Sequence, residues 1–125
     1  MNRRVLVVDD SLTARAYCAK ILGGAGFVVE EAANGYEALE KCFRQTYDLV
    51  IVDVNMPKMS GYELVRELRR ESDTRHTPIV MISTEAGETD RLQGYRSGAN
   101  LFLVKPVGPE ALVMLARAFV EGHCD

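Results

Sequence analysis

Two rhythms of apolar residues take turns along this chain. Short, mainly apolar runs occur at residues 4–8, 27–32, 49–52, 79–83 and 101–104. Between them, apolar residues return at three- and four-residue spacing. A short run bounded by turn signals fits a strand buried on both faces, and the wider spacing fits one face of a helix. Their alternation predicts βα units wound around a parallel sheet. The expected helices are about 11–22, 35–45, 61–70 and 88–97, with a last one opening at Gly108 and Pro109. Gly23, Gly24 and Gly26 are expected to stop the first helix, whose inner face would carry Leu12, Ala16, Ala19, Ile21 and Leu22. Asn34 with Glu37 and Ser60 with Glu63 have capping-box spacing and open the second and third helices. Gly87, Gly94 and Gly98 weaken the fourth helix.

Charged residues stand where the apolar runs stop. Asp9 and Asp10 follow VLVV, Asp53 follows LVIV, Ser83 ends VMIS, and Lys105 follows FLV. Right-handed crossovers bring the carboxyl ends of all strands to one edge of a parallel sheet, where such folds hold ligands. Residues far apart in sequence therefore meet. Two carboxylates about 4 Å apart repel by roughly 4 kcal/mol at an effective dielectric near 20. A hard divalent cation relieves that repulsion, and an all-oxygen set without nearby His or Cys suits Mg²⁺ better than zinc. A carboxylate beside Mg²⁺ and a lysine can attack phosphorus and form an aspartyl-phosphate. Asp53 is the candidate nucleophile; Asp9, Asp10 and the main-chain carbonyl of Asn55 are candidate metal ligands.

Composition narrows the class. The 125 residues are 47% hydrophobic and 26% charged, which fits one globular domain. A net charge of −3 gives no general attraction to nucleic acid or anionic membrane. No apolar run reaches the length of a membrane span, and MNRRVLVVDD reads as a first strand, not a signal peptide. Cys18, Cys42 and Cys124 make an odd count without metal-ligand spacing and are expected to be reduced thiols in the cytoplasm. Arg3, Arg4, Arg69 and Arg70 are expected at the solvated surface, and His76 and His123 carry no assignment.

DD at 9–10, DVNMPKMSG at 53–61, ST at 83–84 and KP at 105–106 together resemble the response-regulator receiver domain. The resemblance covers essentially the whole chain, 1–125, with no output domain expected, and STEAGE at 83–88 is most similar to the single-domain chemotaxis receivers. It implies a flavodoxin-like sheet of order 2-1-3-4-5. It also implies that Asp53 accepts phosphate from a histidine kinase with Mg²⁺, and that the domain speeds its own transfer and slow dephosphorylation. Asp10 would ligate the metal directly and Asp9 would assist. Lys105 would pair with the phosphoryl group, Ser83 would hydrogen-bond it, and the Lys105–Pro106 bond would be cis. Phe102 would be an aromatic switch following Ser83, although its ring reads more simply as partly buried packing. Family members often have Thr at the position of Ser83, Tyr at that of Phe102 and an aromatic at that of Val107, so polar switch contacts and the partner surface differ here. Signalling would pass through the face of the fourth helix, fifth strand and fifth helix, with Arg91, Tyr95, Phe102 and Val107 as candidates, in chemotaxis or motility or as a phosphorelay intermediate. Rival readings meet obstacles in the residues. An Asp-dependent phosphatase would use Asp-x-Asp where Val54 and Asn55 follow Asp53, and a flavin domain would need a phosphate-cradling loop after the first strand. The intact acidic set argues against a phosphate-independent scaffold.

Overall fold

A computed structural model describes residues 3–121. Five strands, β1 (Arg4–Val8), β2 (Val28–Ala32), β3 (Leu49–Asp53), β4 (Ile79–Ser83) and β5 (Leu101–Val104), alternate with five helices. These are α1 (Leu12–Gly24), α2 (Gly35–Arg44), α3 (Gly61–Arg70), α4 (Glu88–Ser97) and α5 (Pro109–Glu121). All strand pairs are parallel and the sheet order is β2-β1-β3-β4-β5. The order reverses direction between β1 and β3, so a crevice opens beyond the carboxyl ends of those two strands.

The period-two geometry of the strands splits the core in two. Leu6, Val8, Val50, Val52, Ile79 and Met81 join Ala38, Leu64, Val65, Leu68 and Phe102 on one side. Val5, Val7, Leu49, Ile51, Val80 and Ile82 join Leu22, Leu112, Leu115 and Ala116 on the other. Helices α2, α3 and α4 therefore cover one face, and α1 and α5 cover the other. Both faces of β1, β3 and β4 are buried, which is why their sequences read as continuous apolar runs.

Local chemistry sets the helix starts. Ser60 and Glu63 close a full capping box on α3, with bonds of 3.2 and 2.9 Å. Asn34 caps α2 by accepting from the Glu37 N–H at 2.9 Å. Ser11 caps α1 through the Ala14 N–H. The α4 boundaries match the sequence expectation despite its glycines, and Gly87 supplies no side-chain cap.

Three expectations need correcting. The first helix runs through Gly23 and Gly24, and the left-handed turn falls on Gly26 at φ 101°. Its inner face is Cys18, Ile21, Leu22 and Ala25, while Leu12 is 68% exposed and Ala16 is also exposed. That helix is apolar around most of its circumference, so the pattern alone could not choose a face. Arg69 is half-buried, unlike its exposed neighbour Arg70. Its guanidinium donates to the carbonyls of Thr77 (2.7 Å), Gly98 (2.9 Å) and Arg75 (3.1 Å) and to Asn100 Oδ1 (2.9 Å). Burial lowers its pKa, and no carboxylate is among these partners. Arg69 thereby ties the end of α3 to the loop before β4 and to the turn between α4 and β5. Arg69→Ala is expected to remove about 2 kcal/mol of stability, read as a lower urea midpoint, because several carbonyls, two of them part-buried, lose a charged donor. Arg3 and Arg4 form ion pairs with Glu121 and Glu30 at the sheet's amino-terminal edge. Cys124 and His123 lie outside the described residues; Cys18 and Cys42 are free thiols.

Candidate functional site

The crevice collects the charged residues that end the strands. Asp9 follows β1 and is buried; Asp53 ends β3 and is 6% exposed; Asp10, next to Asp9, is exposed. One carboxylate oxygen from each of the three lies within 4.8 Å of the others. Lys105 follows β5 and reaches across the crevice, placing Nζ 3.0 Å from Asp53 Oδ1 and 3.2 Å from Asp9 Oδ2. Asp9 is further held by the Ser11 N–H at 2.9 Å, so its carboxylate is already committed on both oxygens. Asp10 faces solvent.

Electrostatics match this crowding. Burial raises the pKa of Asp53; Lys105 opposes that through its hydrogen bond and charge, and the charges of Asp9 and Asp10 add to the rise. Burial pulls Lys105 downward, but the bonds and charges of Asp53 and Asp9 outweigh it and leave its pKa raised. The site holds more negative charge than one lysine balances. An all-oxygen set with unrelieved negative charge, and no His or Cys in the cluster, fits a hard dication such as Mg²⁺.

The loop after β3 is built to lie against Asp53. The Gly61 N–H donates to the Val54 carbonyl at 2.9 Å, turning the loop back on its own strand. A β-carbon at Gly61 would come 2.5 Å from the Asp53 carbonyl oxygen and 2.9 Å from Val54 Cα, so only glycine fits. Lys58 takes a left-handed φ of 71° in the same loop, and Met59 packs over Gly35 at the start of α2. Asn55 is exposed two residues beyond Asp53. The Lys105–Pro106 bond is cis. Beside the acids, a cleft of about 460 Å³ runs between α1 and the loop after β5, lined by Ala14, Cys18, Pro106 and Val107. The Tyr17 hydroxyl donates to the Val107 carbonyl across it at 2.9 Å. Burial first, then the charge of Asp9, pushes the Cys18 thiol up to about 11, so it is an unreactive wall residue at neutral pH.

Ser83 ends β4 fully buried, and its Oγ accepts the Glu85 N–H at 2.9 Å. Phe102 does not stand on the partner face proposed from sequence. It is 1% exposed, because Gly94 lets α4 lie directly on its ring: a β-carbon at 94 would meet Phe102 Cδ2 at 2.6 Å. The Tyr95 hydroxyl accepts the Phe102 N–H at 3.2 Å, and the Arg91 guanidinium carbon lies 6.0 Å from the ring centroid. Arg91 and Tyr95 are exposed, while Val107 is half-buried and tied to α1. Sequence reasoning missed Arg15, whose Nη1 donates to the Asp9 carbonyl at 2.8 Å. Its spacing from Cys18 and Leu22 puts it on the buried stripe of α1, a stripe that the sequence pattern did not single out.

Comparison with known proteins agrees with this geometry. The family model for the response regulator receiver domain matches residues 5–117. The structure is similar to the chemotaxis response regulator CheY4 of Vibrio cholerae, with a TM-score of 0.91 and 40% identity over 95% of this chain and 99% of that one. A putative response regulator from Chloroflexus aurantiacus gives a TM-score of 0.91 at 32% identity, covering 96% of this chain and 98% of that one. Among curated relatives, the transcriptional regulatory protein ResD of Bacillus subtilis is 33% identical over 94% of this chain and 48% of its own length. SrrA of Staphylococcus aureus is 32% identical over 97% of this chain and 49% of its own length. The chain thus spans about half the length of the curated relatives it matches. By its fold, its acidic crevice and its match over residues 5–117, the chain belongs to the response regulator receiver domain family of two-component systems.

Proposed function

We propose that Asp53 accepts a phosphoryl group from a histidine kinase in a Mg²⁺-dependent reaction, and that the phosphorylated domain signals through protein contacts. The observation that carries this reading is the placement of Lys105 Nζ 3.0 Å from Asp53 Oδ1 within a three-aspartate cluster. An Asp53 oxygen attacks phosphorus, the bond from phosphorus to the donor breaks, and its electron pair leaves on the imidazole nitrogen of the donor histidine. Lys105 sits where its charge offsets that of the incoming phosphoryl oxygens. The Ser83 hydroxyl, at the end of the strand beside Asp53, would hydrogen-bond the product. The residues that would hold magnesium are Asp10, Asp53 and the Asn55 main-chain carbonyl, with Asp9 behind them. The bound ion would supply divalent charge to neutralise the phosphoryl group.

Similarity to CheY4 supports a chemotaxis or motility role, with the α4–β5–α5 face and its exposed Arg91 and Tyr95 meeting the target. Two new charged hydrogen bonds of roughly 1.5–3 kcal/mol each approach, at their upper end, the roughly 5.5 kcal/mol needed for complete switching. A partner that binds the phosphorylated form completes the shift. Among the described residues, no helix is long and apolar enough to cross a membrane. The direct test is phosphotransfer profiling against purified histidine kinases, followed by pull-down with the beryllofluoride-loaded protein. Rapid Mg²⁺-dependent labelling by one kinase supports the reading, and no labelling by any kinase or by acetyl phosphate contradicts it.

Metal binding carries its own prediction. Mg²⁺ should raise the melting temperature, by the equivalent of about 2.7 kcal/mol at 100 times its dissociation constant. The effect should fade on acidification, because the metal needs ionised Asp53 and the raised pKa of that carboxyl brings protonation to a higher pH than usual. Thermal melts at several pH values with and without millimolar Mg²⁺ check both points; a shift that grows as pH falls would contradict them.

A further inference from the structure

Arg15 lies about one turn into α1, outside the acidic cluster, yet it is the cation that holds the cluster's backbone. Its side chain is 14% exposed. Nη1 donates to the Asp9 main-chain carbonyl at 2.8 Å, and Nε to Glu31 Oε1 on β2 at 3.2 Å. Glu31 is itself fixed, because β2 pairs with β1 and the Lys41 ammonium donates to the Glu31 carbonyl at 2.8 Å. The Asp9 carbonyl belongs to the peptide group that joins Asp9 to Asp10. The other end of Asp9 is fixed by its own N–H donating to the Ala32 carbonyl at 3.1 Å. Beyond Asp10 the next peptide group is held as well, its Ser11 N–H donating to Asp9 Oδ1 at 2.9 Å, so both peptide groups flanking Asp10 are pinned and the direction in which its side chain leaves the backbone is set.

We infer that Arg15 is a positioning residue for the metal-binding carboxylates: held by Glu31, it orients the Asp9–Asp10 peptide so that Asp10 is presented to the cation beside Asp53. This rests on the Mg²⁺ reading above. The inference has a sign that simple charge does not. Arg15 carries positive charge near a cation site, so by Coulomb's law alone its removal should tighten Mg²⁺ binding. If its role is to orient a ligand, removal weakens binding, as loss of groups that orient metal ligands does, by about 10-fold or more.

Calorimetric titration of Mg²⁺ into wild type, Arg15→Gln, Arg15→Lys and Lys20→Gln at one pH and ionic strength separates these. Lys20→Gln removes a positive charge from the exposed side of the same helix without touching the Asp9 carbonyl or Glu31. The expected result is about 10-fold weaker binding in Arg15→Gln, a smaller loss in Arg15→Lys, which keeps the charge and one donor, and no loss in Lys20→Gln. Circular dichroism establishes that each variant is folded; if Arg15→Gln is not, Arg15→Lys decides, and an affinity equal to or tighter than wild type overturns the inference. Tighter binding in Arg15→Gln would likewise overturn it and leave the Mg²⁺ site standing. Absence of binding to wild type would remove the Mg²⁺ reading and the inference together.

Discussion

Asp53→Asn is expected to take no phosphate from acetyl phosphate under conditions that label the wild type with acid-stable, base-labile phosphate. The amide has no anionic oxygen to attack phosphorus, and neither other aspartate can replace it. Asp9 is committed to Ser11 and Lys105, and Asp10 is exposed without the lysine contact. The same substitution should stabilise the metal-free fold. The Asp53 pKa is raised, mainly by burial, so the folded state favours the protonated form. Its contribution to stability is present below the ordinary carboxylate pKa and is lost as pH rises through the raised value. At neutral pH the ionised group is therefore a burden that Asn removes. A melting temperature above that of the metal-free wild type, together with loss of labelling, is the expected pair. Undiminished labelling would refute the assignment of the nucleophile.

Lys105→Met should separate metal binding from chemistry. The methionine fills much of the same space without charge. Loss of the ammonium removes the group best placed to offset phosphoryl charge, and such losses slow catalysis by about 100-fold. Mg²⁺ affinity should hold or rise, because a cation that competes for Asp9 and Asp53 has gone. The metal-free protein should lose stability at neutral pH. The raised Lys105 pKa means that its stabilising charge is fully present below the ordinary lysine value and is lost only as pH rises through the raised one. Labelling kinetics at saturating Mg²⁺, with calorimetry for the metal, give the comparison. Equal slowing of chemistry and weakening of Mg²⁺ binding would instead mean that Lys105 organises the whole site.

Much of this was legible before any coordinates. Strands buried on both faces write themselves as nearly uninterrupted apolar runs, so β1 and β4 fell where expected. A charged residue ending such a run is costly without a reason, so Asp53 and Lys105 marked the crevice. The illegible parts depend on tertiary partners. Leu12 points outward because α1, apolar nearly all round, is oriented by what it packs on. Arg69 looked like one more surface arginine until carbonyls from two separate segments converged on it. Phe102 is buried because a glycine eight residues earlier leaves room for its ring, a contact no periodicity encodes. Arg15 was missed because its main partner is a backbone oxygen, which has no letter in a sequence.

The central claim is that phosphate arrives on one particular carboxylate. Labelling with acetyl phosphate and Mg²⁺, reduction of the acyl phosphate by borohydride and peptide sequencing would locate it. The account predicts conversion of residue 53 to homoserine, only when Mg²⁺ was present during labelling. Homoserine at position 9 or 10, or label on a histidine or serine, would contradict it.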